Sequence, residues 1–479
     1  MISFAIFFLS LFAALVYGQN GNNSEIATIN ITGNAFFNSK TGDRFYIRGV
    51  DYQPGGSSNL TDPLADVQTC KRDIPVFQDL GINTIRVYTV DNSLDHTECM
   101  QMLQDAGIYL ILDVNTPEAS ISRYDPACSY NADYLQSIFA TVDVFAQYDN
   151  LLGFFAGNEV INMANNTFTA TYVKAVVRDL KKYIKARNYR EIPVGYSAAD
   201  IESNRLLAAQ YFNCGNDSDA RIDMFGVNDY SWCGQSSFLT SGYSQKMKLY
   251  NGYSIPIFLS EFGCNQVSGS RPFEEIGSIY STQMSSVFSG GLVYEYSNET
   301  NNYGLVQIDS PTEVTKLDDF NNLKNQYSQH PDPTGSGGYS TSNNYSTCPD
   351  YQAGIWEANN TLPEMPSAAS AFFKSGAGAP MGTGFTTQQQ CDSDGIDSID
   401  ISSSDSSTTT STSSSADASS TDSSSTDSSS SSSLSSSTSS ATSTSSASKT
   451  RSSSSKGSGA VLEVPRGLQM IAQLFTMII

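Results

Sequence analysis

Two carboxylates in this 479-residue chain stand where a carboxylate is costly unless something pairs with it. The stretch LLGFFAGNEV (151 to 160) runs from apolar residues into Asn158 and Glu159, and IPIFLSEFG (255 to 263) runs likewise into Glu261. An ionised group at the end of a buried strand needs a compensating partner or a shifted pKa. Two such groups on one face of a fold suit glycosidic chemistry: one protonates the leaving oxygen and the other, ionised, attacks the anomeric carbon. A separation of about 5 to 5.5 Å would mean retention through a covalent glycosyl-enzyme. Asn158, beside Glu159, is placed to hydrogen-bond a sugar 2-hydroxyl in the transition state. Either glutamate alone would read as a loop carboxylate; a matched pair at strand ends changes that reading.

The elements that must position them alternate along the chain. Residues 45 to 52, 82 to 90, 108 to 114, 151 to 159, 192 to 200, 223 to 232, 255 to 263 and 290 to 298 are apolar runs of the kind that form buried parallel strands. Segments such as 169 to 188 carry a helical period between them. Eight strands with crossover-length connections predict an α/β fold, a (β/α)8 TIM barrel, with reactive groups at the C-terminal strand ends. Glu159 then ends the fourth strand and Glu261 the seventh, both at the barrel mouth. A doubly wound sheet would normally show a glycine-rich phosphate turn, and neither G-x-G-x-x-G nor G-x-x-x-x-G-K-[ST] occurs.

Composition excludes several classes. A formal net charge of -22 argues against a nucleic-acid partner. With two histidines and no C-x-x-C pair, neither a metal nor a cofactor is expected. The same scarcity of histidine and the lack of a G-x-S-x-G elbow make a Ser-His-Asp esterase a poor third reading. Eight cysteines fit an oxidising compartment: Cys70, Cys99, Cys128, Cys214, Cys233, Cys264, Cys348 and Cys391.

Both ends of the chain read as processing and tethering segments. Residues 1–18 read as a signal peptide and 19–330 as the catalytic domain. Residues 331–401 form an extension packing on or trailing the barrel, and 402–456 a disordered Ser/Thr-rich stalk. Residues 457–479 have the order of a GPI-anchor signal that is removed on maturation. Sequons at Asn22, Asn30, Asn59, Asn165, Asn216, Asn298, Asn344 and Asn359 suit a secreted glycoprotein. The expected localisation is the outer plasma membrane and cell wall.

The blocks YIRGVDYQPGG, TIRVYTVD, GNEV, NDYSWCG, SEFGCN and GGLVYEYSNE…NNYGLV closely resemble the fungal β-1,3-glucanosyltransferases of glycoside hydrolase family 72, the Gas, Gel and Phr proteins. The resemblance covers roughly residues 26 to 330. It implies Glu159 as acid/base and Glu261 as nucleophile, with sugar contacts from Tyr88, Asn158, Asp200, Arg205, Tyr230 and Tyr294. Tyr296 shares a strand face with Tyr294, and pattern alone does not separate them; alignment through GGLVY favours Tyr294.

The resemblance also implies the disulfides Cys70–Cys99, Cys214–Cys348 and Cys233–Cys264, leaving Cys128 and Cys391 as the remainder. Only Cys348 and Cys391 follow residue 264, so the chain resembles the subfamily without a cysteine-rich carbohydrate-binding module. The implied reaction cleaves an internal β-1,3-glucan bond and transfers the held glycosyl unit to the non-reducing end of another chain. Donor and acceptor glucan chains are the expected partners, with a lipid through the GPI anchor, and the protein is expected to be a monomer. A hydrolytic endo-β-1,3-glucanase and a catalytically idle wall-glucan-binding protein are the rival readings.

Overall fold

The computed structural model describes residues 26–385. The expected signal peptide, stalk and anchor signal, and Cys391, lie outside the described residues.

The chain opens with three short antiparallel strands, β1 (Ile29–Thr32), β2 (Ala35–Asn38) and β3 (Arg44–Phe45). Eight parallel strands follow: β4 (Ile47–Asp51), β5 (Thr84–Val87), β6 (Tyr109–Asp113), β7 (Leu151–Asn158), β8 (Val194–Ala199), β9 (Met224–Cys233), β10 (Ile257–Cys264) and β11 (Phe288–Val293). They close into a barrel in chain order, β11 pairing back onto β4. These are the eight strands expected from the apolar runs, and helix Ala170–Ala186 occupies the expected helical segment. A hairpin, β12 (Val306–Ser310) and β13 (Glu313–Lys316), follows the last barrel strand.

Local signals set the helix ends. Asp66 caps Val67–Leu80 by accepting from the Gln68 N–H, and Gly81 closes it at φ 81. Asn131 caps Ala132–Phe145 in the same way, through the Tyr134 N–H.

The barrel's N-terminal end is plugged. Phe36 from β2 and Phe45 from β3 meet Phe258 and Tyr109, with ring centroids 6.0 and 5.1 Å apart. They join Ile47, Ile111, Leu152, Phe155, Met224 and Leu292 in one apolar cluster. Truncating a buried ring of this kind to alanine costs about 3–5 kcal/mol. Chemistry is thereby left to the opposite, C-terminal face.

Residues 331–385 lie against the barrel. The Ser340 carbonyl accepts from Asn34 N–H, Trp356 is fully buried against Tyr211, and Phe373 packs on Phe139 and Tyr183. Disulfide Cys214–Cys348 ties this segment to the end of helix Arg205–Phe212.

Candidate active site

Both glutamates sit where a strand ladder breaks. The β7–β8 register shifts between Phe155 and Asn158, and the β9–β10 register shifts between Leu259 and Glu261. Such irregularities re-aim side chains at barrel rims.

Glu261 is buried and held by three donors. Tyr88 Oη donates to Oε1 at 2.8 Å, Arg86 Nη1 to the same oxygen at 3.2 Å, and Tyr230 Oη to Oε2 at 2.7 Å. Arg86 is fully buried on β5 and also grips Asp113 with two bonds of 3.0 Å, which fixes its guanidinium. Burial pushes the Glu261 carboxyl up to about 7. Arg86 opposes that rise, the charge of Glu159 adds to it, and the tyrosine hydroxyls oppose it.

A raised pKa by itself suits a proton donor. Its hydrogen bonding works in the other direction, because Arg86 and the two tyrosine hydroxyls can each direct a donor at Glu261, which favours its ionised form. Glu159 is arranged differently. Asn228 Nδ2 donates to its Oε1 at 2.9 Å, and among the described residues no protein donor holds its other oxygen. Glu261 is thus met by donors on both of its oxygens, and Glu159 by a single donor on one oxygen.

Asn228, on β9, joins the two. Its Nδ2 also reaches Asn158 Oδ1 at 3.2 Å, while its Oδ1 accepts from Ser260 Oγ at 2.7 Å and Ser197 Oγ at 3.1 Å. The close approach needs Gly226, where a Cβ would fall 2.5 Å from Ser260 Oγ. Sequence reasoning gave Asn228 no role, although it lies inside the NDYSWCG block.

Tyr88, Tyr294 and Tyr303 form a small aromatic cluster with Tyr230 packed against it. The Tyr294 hydroxyl pairs with Ser57 Oγ at 3.0 Å. Tyr296 faces elsewhere: it is fully buried and donates to Asp73 Oδ1 at 2.7 Å, between Tyr52 and Phe77. Tyr303, on the loop after β11, had no strand pattern to reveal it. Gln53 was also missed; its Oε1 accepts from the N–H groups of Tyr88 and Thr89 at 3.2 and 3.1 Å.

Asp200 and Arg205 stand apart from the two glutamates. They pair with each other at 2.8 Å, and Asp200 also meets Lys246 Nζ at 2.7 Å, which in turn binds Asp229. Arg205 and Lys246 line a groove of about 240 Å³ with Glu202, Leu206 and Gln245. Burial raises the Asp200 carboxyl, the charge of Asp229 adds to the rise, and Lys246 and Arg205 oppose it. Among the described residues no side-chain hydrogen bond links this network to Glu159 or Glu261.

The three disulfides implied by the resemblance are present: Cys70–Cys99, Cys214–Cys348 and Cys233–Cys264. The last ties β9 to β10 just beyond Tyr230 and Glu261. Cys128 is disulfide-bonded. Among the described residues no cluster of three His, Cys, Asp or Glu side chains could hold a metal.

The family model for glycoside hydrolase family 72, described as glucanosyltransferase, matches residues 19–331. The chain belongs to this family. It is 76% identical over 383 residues to 1,3-beta-glucanosyltransferase GAS5 of Saccharomyces cerevisiae, covering 80% of this chain and 79% of that one. It is 58% identical over 373 residues to 1,3-beta-glucanosyltransferase PGA4 of Candida albicans, covering 78% and 82%. A solved structure of Saccharomyces cerevisiae Gas2p, a glutamate-to-glutamine mutant in complex with laminaritetraose and laminaripentaose, matches with TM-score 0.67 and 42% identity over 72% of this chain and 76% of that one.

Proposed function

We propose that this family 72 enzyme is a 1,3-β-glucanosyltransferase acting on β-1,3-glucan by retaining double displacement. Glu159 gives its proton to the glycosidic oxygen as the bond between that oxygen and the anomeric carbon breaks. Glu261 forms the ester to the anomeric carbon and the reducing-side fragment departs. Glu159 then takes the proton of an acceptor 3-hydroxyl, whose oxygen attacks the anomeric carbon and releases Glu261 as carboxylate. The net result is cleavage of an internal linkage and elongation of a second chain at its non-reducing end.

The observation that carries this reading is the asymmetry of the two carboxylates. Glu261 meets three donors, whereas Glu159 receives a single amide hydrogen bond.

In the same reading Tyr88, Asn158, Tyr230 and Tyr294 contact the sugar at the reacting carbon. A tyrosine ring can stack on a pyranose while its hydroxyl hydrogen-bonds. Asp200 and Arg205 contact sugar further along the chain. The enzyme is a secreted, GPI-anchored monomer of the cell wall, in the subfamily without the cysteine-rich module.

Mass spectrometry of products from a reduced or isotope-labelled laminarioligosaccharide tests the reaction. Products longer than the starting sugar are expected. Products that are only shorter would make the enzyme a hydrolase, and unchanged sugar would support the binding protein.

A further inference from the structure

We infer that Arg123 is a positioning residue that sets the Glu159 carboxyl by gripping its backbone. The inference rests on the acid/base reading of Glu159.

Glu159 has a φ of 47°, in the left-handed region that side chains other than glycine seldom adopt. Its N–H still makes a ladder bond, to the Ser197 carbonyl at 2.9 Å. Its own carbonyl is met instead by a side chain. Arg123 Nε and Nη2 donate to that oxygen at 3.2 and 3.0 Å. Two residues on, the Ile161 N–H donates to the buried hydroxyl of Tyr196 at 3.0 Å. The backbone is therefore pinned before and after the carbonyl by the barrel, and at the carbonyl by Arg123. An unusual backbone conformation at a reacting residue persists when its surroundings hold it in this way.

The arginine is itself anchored. Ser122 Oγ accepts from the N–H groups of Tyr124 and Asp125 at 3.2 and 3.0 Å, and Ser122 N–H donates to Ser129 Oγ at 2.8 Å. Ile121 and Ser129, on either side, are buried. Asp125 caps the short helix Pro126–Ser129, which contains the disulfide-bonded Cys128. Among the described residues Arg123 makes no ion pair, and both of its hydrogen bonds go to the one carbonyl of Glu159. A surface arginine that only neutralised charge would be expected to face a carboxylate. If the carbonyl is released, φ can relax toward the extended region, and the Glu159 side chain then leaves the direction fixed by Asn228.

The test separates loss of acid/base function from loss of fold or binding. A dinitrophenolate leaving group departs without protonation. Azide attacks the anomeric carbon without a general base, giving a β-glycosyl azide and freeing the Glu261 carboxylate. Arg123→Ala, Arg123→Lys and Glu159→Gln are compared on a laminarioligosaccharide and on a dinitrophenyl β-laminarioligosaccharide, each with and without azide.

Arg123→Ala is expected to lose about 100-fold in kcat/KM on the unactivated sugar, to be largely spared in kcat/KM on the activated donor, whose first step needs no acid, and to gain turnover to glycosyl azide with azide. Arg123→Lys, with one donor group in place of the fork, falls between Arg123→Ala and wild type, and stands in if the alanine variant does not fold. Equal losses on both donors without an azide response, or wild-type turnover on the unactivated sugar, overturn the inference. If Glu159→Gln shows neither sparing nor azide response, the reading of Glu159 itself falls. If Glu159→Gln responds and the Arg123 variants do not, only the positioning role falls.

Discussion

Asn228 Nδ2 donates to Glu159 Oε1 at 2.9 Å from the strand beside the one that carries Glu261. Because Asn228 Oδ1 also accepts from Ser260, the residue before Glu261, one amide orients both halves of the site.

Asn228→Ala removes that donor and leaves the Ser197 and Ser260 hydroxyls without their shared acceptor. The expected loss is about 100-fold in kcat, with destabilisation of about 1–3 kcal/mol from the lost acceptor, the two hydroxyls keeping only their mutual bond at 3.0 Å. Steady-state kinetics and a thermal melt check both. Asn228→Asp should lose activity at least as severely, because it sets an acceptor against the Glu159 carboxylate.

Tyr88→Phe and Tyr230→Phe each remove a donor that favours the ionised form of Glu261. The Glu261 pKa should therefore rise, and the acidic limb of kcat/KM should move to higher pH by about one unit. A profile that stays in place would mean that the hydroxyl does not serve the anion.

Burial dominates at Glu261, so folding itself works against its charge. Its folded-state pKa of about 7 lies above the ordinary 4.5, and the folded form binds more protons than the unfolded form between those values. This group's contribution to stability therefore falls as pH rises through that window. Glu261→Gln should match the wild type near pH 4 and exceed its stability by of order 2 kcal/mol near pH 7. Chemical denaturation at both pH values measures the difference.

Tyr294 and Tyr296 should respond in opposite ways. Tyr294→Phe should lower turnover with little change in stability. Tyr296→Phe takes the hydroxyl from buried Asp73, and should destabilise by about 1–3 kcal/mol while sparing kcat. A melt and an activity assay on each variant decide this.

The barrel was legible in the sequence because a parallel strand buried on both faces is a continuous apolar run, and eight such runs are hard to arrange otherwise. Glu159 and Glu261 were legible for a related reason: a carboxylate closing an apolar run is conspicuous. The plug strands β1 to β3 and the hairpin β12–β13 were not, being two to five residues long with no sustained period. Asn228 and Arg123 were hidden more deeply. Their roles arise from a register shift and from a carbonyl turned by a positive φ, and neither leaves a mark on composition or spacing. Tyr294 and Tyr296 share one strand pattern, and only packing against Asp73 and Phe77 separates them.

The most direct measurement is to trap the covalent intermediate. A 2-deoxy-2-fluoro laminarioligosaccharide with a dinitrophenolate leaving group slows release of the glycosyl-enzyme, and peptide mass spectrometry then locates the added sugar. Sugar attached to Glu261 is the predicted result. Sugar on Glu159, or turnover to an inverted product without any adduct, would contradict a double displacement through Glu261.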